Sequence, residues 1–178
     1  MEFYEVIKNR ESTRAYAGTE IENEKLERIL EAARLSPSAC NGQPYLITVV
    51  KGEKKNSVAK KCADIGINGF AKDAPVLLVI SEMPYNKSAL LGSKLKGNDY
   101  RSLDIGIAIM SITLAATEEG LGSCILGWFD DKKIREICSL EGKVRAVITL
   151  GYKKNSTEPR EKKRKSPKEL FKFISDGE

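Results

Sequence analysis

Between Asp104 and Glu118 the chain carries no charge. Leu103, Ile105, Ile107, Ile109, Met110, Ile112, Leu114, Ala115 and Ala116 cover every face of a helical wheel, so a helix built here has no side to turn towards water. Glu118, Glu119, Gly120 and Gly122 stop it. The β-prone run Ser123 to Phe129 follows, and Asp130 can cap another helix. A core helix that feeds a buried strand is thus the element around which the other elements must pack. The uncharged run is too short to cross a bilayer, and Met1-Glu2-Phe3 begins no signal peptide. A cytoplasmic protein is expected.

Composition matters mainly for what it removes. At 178 residues, 41% hydrophobic and 31% charged, the chain has enough apolar material for one domain, 1–178, and wholesale disorder is excluded. It contains no histidine. Ser-His-Asp and Cys-His nucleophile systems and HExxH zinc sites are therefore impossible. Cys40, Cys62, Cys124 and Cys138 show no CxxC spacing, and their apolar neighbours predict reduced core thiols. An enzyme with this inventory is expected to leave its chemistry to a cofactor.

The net charge of +5 is local. Lys153, Lys154, Arg160, Lys162, Lys163, Arg164, Lys165 and Lys168 stand against Glu158 and Glu161, which accounts for the whole surplus. A solvated arm, a phosphate ligand set and a polyanion-binding module all fit such a run. Its lack of interleaved aromatics disfavours nucleic-acid stacking.

The remaining chain reads as alternating helices and strands. Helices are expected over Glu2 to Asn9, after an Asn23 cap with Leu26, Ile29, Leu30 and Ala33 on one face, over Lys54 to Asp64, over Lys87 to Leu95 and over Asp131 to Ser139. Strands are expected over Tyr45 to Lys51, Pro75 to Ser81 and Val144 to Gly151. Ala146 to Leu150 is apolar on both faces, as a sheet covered by helices requires. Ser36-Pro37-Ser38-Ala39-Cys40-Asn41-Gly42-Gln43-Pro44 is a structured loop entering a strand, a position suited to binding. Ser166-Pro167-Lys168-Glu169 is a capping box opening a last helix, whose Leu170, Phe171, Phe173 and Ile174 would dock it. The glycine pattern GLGSCILG follows a helix and enters a strand, the reverse of a dinucleotide-binding turn, and reads as a helix stop.

Arg10-Glu-Ser-Thr-Arg14, Ser36 to Pro44, Asp73-Ala-Pro-Val-Leu-Leu-Val-Ile80, Asp104-Ile-Gly-Ile-Ala108, Glu119-Gly-Leu-Gly-Ser-Cys124 and Leu126-Gly-Trp-Phe-Asp130 occur in an order that resembles the nitroreductase family of flavin-dependent oxidoreductases. The resemblance spans nearly the whole chain. It implies an α+β sandwich, with a mostly antiparallel sheet flanked by helices, and an intertwined homodimer with FMN at the interface. One flank of the uncharged helix would then meet the partner subunit.

The resemblance also assigns residues. Arg10 and Ser12 match phosphate-binding positions, and Arg14 matches a basic position near flavin N1 and O2. Guanidinium groups suit both tasks, since they offer paired donors to phosphate and favour a reduced, anionic flavin. Glu11 stands where many members have a second arginine. Pro37, Ser38, Asn41 and Gln43 match the loop bordering the flavin, partly that of the partner subunit. Leu126, Gly127 and Trp128 match the segment whose backbone approaches N5 and O4, and Trp128 is large for its position. Lys162 and Arg164 match a K-x-R pair completing the phosphate site. Asn68 and Lys72 are candidates for a further polar contact, and Tyr85 and Tyr100 for the acceptor wall. The implied activity is hydride transfer from NADH or NADPH through flavin N5 to an acceptor such as a nitroaromatic or quinone, by a two-step exchange. Flavin reduction with release, or reductive dehalogenation, are alternatives on the same scaffold.

Overall fold

The computed structural model describes residues 1–63, 66–154 and 161–175. Asp64, Glu158 and Arg160, named above, lie outside them. The elements run α1 (Phe3–Asn9), α2 (Asn23–Arg34), β1 (Tyr45–Val50), α3 (Gly52–Cys62), β2 (Val76–Glu82), α4 (Lys87–Lys96), α5 (Tyr100–Glu118), β3 (Gly122–Leu126), α6 (Asp131–Cys138), β4 (Val144–Gly151) and α7 (Pro167–Leu170).

The strands form one antiparallel sheet in the order β1-β2-β4-β3. Alternation along β2 sends its side chains into two cores. Leu77 and Val79 join Val58, Cys62, Leu126, Ile134 and Val147 beneath α3 and α6. Val76, Leu78 and Ile80 join Leu26, Ile29, Ile105, Ile112, Ala116 and Ile148 beneath α2 and α5. The result is an α+β sandwich with helices on both faces, which is why β2 and β4 are apolar on both sides.

Helix α5 is capped by Asp99, whose side chain accepts from the Ser102 amide. Its inner face carries Ile105, Ala108, Ile112 and Ala116, but Leu103, Ile107 and Met110 remain exposed on this chain. The uncharged helix is therefore not enclosed by its own subunit. It has an unburied apolar flank.

Four expectations need correction. The second helix is capped by the backbone of Glu22, with no side-chain cap, because Asn23 is already inside it and receives Lys51 Nζ at 3.4 Å. Strand β3 stops at Leu126, so Gly127 and Trp128 follow the sheet edge. Cys40 is exposed, not a core thiol, since its loop turns outward through a left-handed backbone. The last helix is a single turn. Its capping box forms as expected, yet Phe173 and Ile174 are 92% and 85% exposed, docked by none of the described residues.

Candidate functional site

The Arg10–Arg14 segment is held at the edge of the sheet by main-chain bonding. Thr13 N donates to Ser123 O at 2.9 Å, Ser12 bridges Ser123, and Tyr16 bridges Lys153. The Tyr16 hydroxyl lies buried, 2.5 Å from Thr149 Oγ1 and 3.0 Å from Thr13 O. Gly122 is required beneath the segment, because a Cβ there would stand 2.5 Å from Thr13 Oγ1. These contacts fix the backbone while leaving the arginine side chains outward.

The outcome is a cleft of about 260 Å³ lined by Arg10, Glu11, Ser12, Arg14, Glu161, Lys162 and Arg164. Two runs separated by some 150 residues of sequence thus meet, and four cations outnumber two carboxylates. Arg14 Nη1 reaches Ser12 O at 3.5 Å, and Arg164 Nη1 donates to the neighbouring Lys163 carbonyl at 2.8 Å. Among the described residues the Arg10 side chain has no hydrogen-bond partner, while its main-chain N–H donates to Val6 O at 2.9 Å. Lys162 Nζ donates to the carbonyls of Ile7, at 2.9 Å, and Lys8, at the end of α1. Desolvation, with the charges of Arg10 and Arg164, lowers the Lys162 pKa below the ordinary lysine value. Such a cluster of like charges with open donors is suited to a phosphate.

Glu11 lies at the side of this cleft with its Oε1 2.7 Å from Lys153 Nζ. Glu161, which also lines the cleft, and Lys153, which pairs with Glu11 beside it, are not among the site residues assigned from the sequence. The signal for Lys153 was available in hindsight only through pairing, because it follows β4 directly and bridges Tyr16.

At the other end of β3 the chain opens again. A Cβ on Gly127 would meet nothing within 4 Å, and Trp128 is 53% exposed. Asn68, in left-handed backbone, donates from Nδ2 to the Trp128 carbonyl at 3.2 Å. It orients this segment. Lys72 enters through its carbonyl, which accepts from Lys55 Nζ at 2.8 Å. Roughly 13 Å of strand separates Ser123, at the basic cleft, from Gly127.

The loop of Pro37, Ser38, Asn41 and Gln43 is elsewhere. It is braced internally: Gln43 N donates to Ser38 Oγ at 3.0 Å and Gln43 Nε2 to Asn41 Oδ1 at 2.6 Å. Ala39 N donates to Oδ1 of Asp104, which is 3% exposed. Cys40, Asn41 and Gln43 all have positive φ, a strained run for residues other than glycine. The loop enters β1 at Tyr45, opposite Glu82, whereas Ser123 pairs with Leu150, which faces Val76. Tyr45 and Ser123 thus occupy diagonal corners of the sheet, roughly 25 Å apart by strand spacing and rise.

Tyr85 and Tyr100 are engaged structurally. Tyr85 OH contacts Asp99 Oδ1 at 3.3 Å and accepts from Arg101 N, while its ring lies 4.4 Å from the Arg101 guanidinium. The Tyr100 ring packs by Gly92.

A sheet sandwiched between two helix layers, with a basic cleft at one sheet edge, defines the class, and comparison defines the family. The nitroreductase family model matches residues 7–67 and 64–152. The chain belongs to that family. It is 29% identical to the oxygen-insensitive NADPH nitroreductase of Helicobacter acinonychis (strain Sheeba), over 81% of this chain and 83% of that protein. A nitroreductase family protein from Clostridium novyi NT superimposes with a TM-score of 0.78 at 32% identity, covering 88% of this chain and 87% of the other. An FMN-dependent nitroreductase from Clostridium difficile R20291 does so with a TM-score of 0.70 at 32% identity, covering 93% and 92%.

Proposed function

We propose that the chain is an FMN-dependent NAD(P)H oxidoreductase of one domain, residues 1–178, acting as a homodimer in the cytoplasm. The observation that carries this reading is the meeting of Arg10, Ser12 and Arg14 with Lys162 and Arg164 around one cleft. The residues present fit the cofactor. Cations with open donors suit its phosphate, and the free space over Gly127 suits a flat ring brought against backbone. When bound, FMN supplies hydride transfer between NADH or NADPH and an acceptor such as a nitroaromatic or quinone, in a two-step exchange.

The protein's own part is binding and orientation. Arg10, Ser12, Lys162 and Arg164 would hold the phosphate, and Arg14 would place positive charge beside the pyrimidine edge of the ring. The Leu126-Gly127-Trp128 backbone, braced by Asn68, would border the reacting face. No histidine is needed, since the chemistry belongs to the cofactor.

The dimer follows from what one chain leaves undone. Leu103, Ile107 and Met110 form an uncovered apolar flank of α5, each about half exposed and worth about 1 kcal/mol on completing its burial. Pro37, Ser38, Asn41 and Gln43 sit too far from the basic cleft to border the same ligand within one subunit. A second copy would supply this loop, and the exposed Phe171, Phe173 and Ile174 would wrap onto that copy.

The test is a visible spectrum of protein loaded with FMN, before and after anaerobic NADH or NADPH. A yellow protein bleached by either nicotinamide is expected. Protein that stays colourless with added FMN overturns the reading, and sedimentation as a monomer overturns the dimer.

A further inference from the structure

Glu11 is one of two carboxylates, with Glu161, among the groups of the cleft that face an anion. Its side chain is mostly buried and its Oε1 is 2.7 Å from Lys153 Nζ. Glu11 lines the cleft, and Lys153 is drawn to it from the end of β4. The pair therefore subtracts twice from anion binding. A negative charge stands within the cleft, and Lys153, whose charge is felt at Lys162, is occupied by that carboxylate.

We propose that Glu11 sets the affinity of this cleft for phosphate monoesters, so that FMN is taken up and released rather than held permanently. The inference rests on the reading of the cleft as the FMN phosphate site. A carboxylate a few ångströms from a phosphate dianion, partly screened by solvent, changes affinity by about tenfold. The same geometry gives the two partners opposite signs. Removing the charge of Glu11 relieves repulsion and frees Lys153 for the phosphate. Removing Lys153 withdraws a cation from beside the carboxylate and the cleft. An ion pair serving only to stiffen the fold would weaken binding, or leave it alone, whichever partner was removed.

The experiment is titration of the full-length protein with FMN, and with riboflavin as the phosphate-free probe, followed by quenching of flavin fluorescence. E11Q is expected to bind FMN about tenfold more tightly and K153M several-fold more weakly, with riboflavin affinity the same in all three proteins. E11Q and K153M shifting FMN affinity in the same direction, or an equal shift for riboflavin, overturns the role of Glu11. Wild-type protein that binds riboflavin and FMN equally overturns instead the phosphate reading on which it rests.

Discussion

Two clusters in this molecule are built from the same residue types and end in opposite conditions. At the end of β2, Glu82 receives Arg101 Nη1 at 2.7 Å and Arg145 Nη1 at 2.6 Å, and Arg145 Nη2 donates to Ser102 Oγ at 2.7 Å. One carboxylate between two guanidinium groups binds the start of α5 to β2 and β4. At the edge of β3, Arg10, Arg14, Lys162 and Arg164 line one cleft and outnumber its two carboxylates, Glu11 and Glu161. Of these acids, Glu11 is turned to Lys153. What separates a strut from a ligand site is therefore where the counter-charge sits, not how many arginines are present.

The sharpest way to break this comparison is to remove the arginines of the open cluster. R10A/R164A is expected to weaken FMN binding by about a hundredfold, near 3 kcal/mol, since each lost bond is to a charged phosphate. Thermal unfolding should move little, because neither side chain holds another element in place. E82A should do the reverse. It strands two partly buried guanidinium groups, which costs about 2–3 kcal/mol of stability, while FMN titration stays as in the wild type. Equal loss of stability in both variants would collapse the distinction.

Two glycines five residues apart sharpen it further. At Gly122 an added Cβ collides with buried Thr13, so G122A is expected to cost about 1–3 kcal/mol in urea unfolding and to displace Arg14 with it. At Gly127 the space is open, so G127V should fold normally and lose about tenfold in flavin affinity. A normal flavin affinity in G127V would place the ring elsewhere.

The fold was legible wherever a local pattern decided the outcome. Ala146 to Leu150 could only be a strand covered on both faces, and Asp130 caps α6 as a short polar side chain should. The capping box at Ser166 also formed, but a cap specifies where a helix begins and not what it docks against. Phe171, Phe173 and Ile174 supplied the apolar character, but they stay exposed, with no receiving surface among the described residues. Half of the candidate site was readable for the same reason. Arg10, Ser12, Arg14, Lys162 and Arg164 carry donor chemistry in short runs, and the family resemblance aligned those runs. Glu11 was visible as a departure, but its pairing with Lys153 depends on β4 running alongside the N-terminal segment, which no short motif encodes. The strain at Cys40, Asn41 and Gln43 was likewise hidden, since none of these residues announces positive φ as glycine does.

The two clusters should also fail at opposite ends of the pH scale. Burial works against the ionised form of Glu82, but hydrogen bonds and charge from Arg145 and Arg101 prevail and hold its pKa below the ordinary carboxylate value. Its contribution to stability is thus complete above the unfolded-state pKa and is lost as pH falls through the lower folded value. E82Q should flatten that acid limb in thermal unfolding. For Lys162 the shift is also downward, from desolvation and from Arg10 and Arg164, but the consequence is for binding. A bound phosphate favours the ammonium form and pulls its pKa back up, so the complex holds a proton that the free protein has begun to lose. FMN affinity is therefore full below the lowered Lys162 value and falls several-fold as pH rises through it. Titrations between neutral pH and the ordinary lysine range should give that slope in the wild type and none in K162M. A flat wild-type profile would mean that Lys162, bonded to the carbonyls of Ile7 and Lys8, serves α1 and not the ligand.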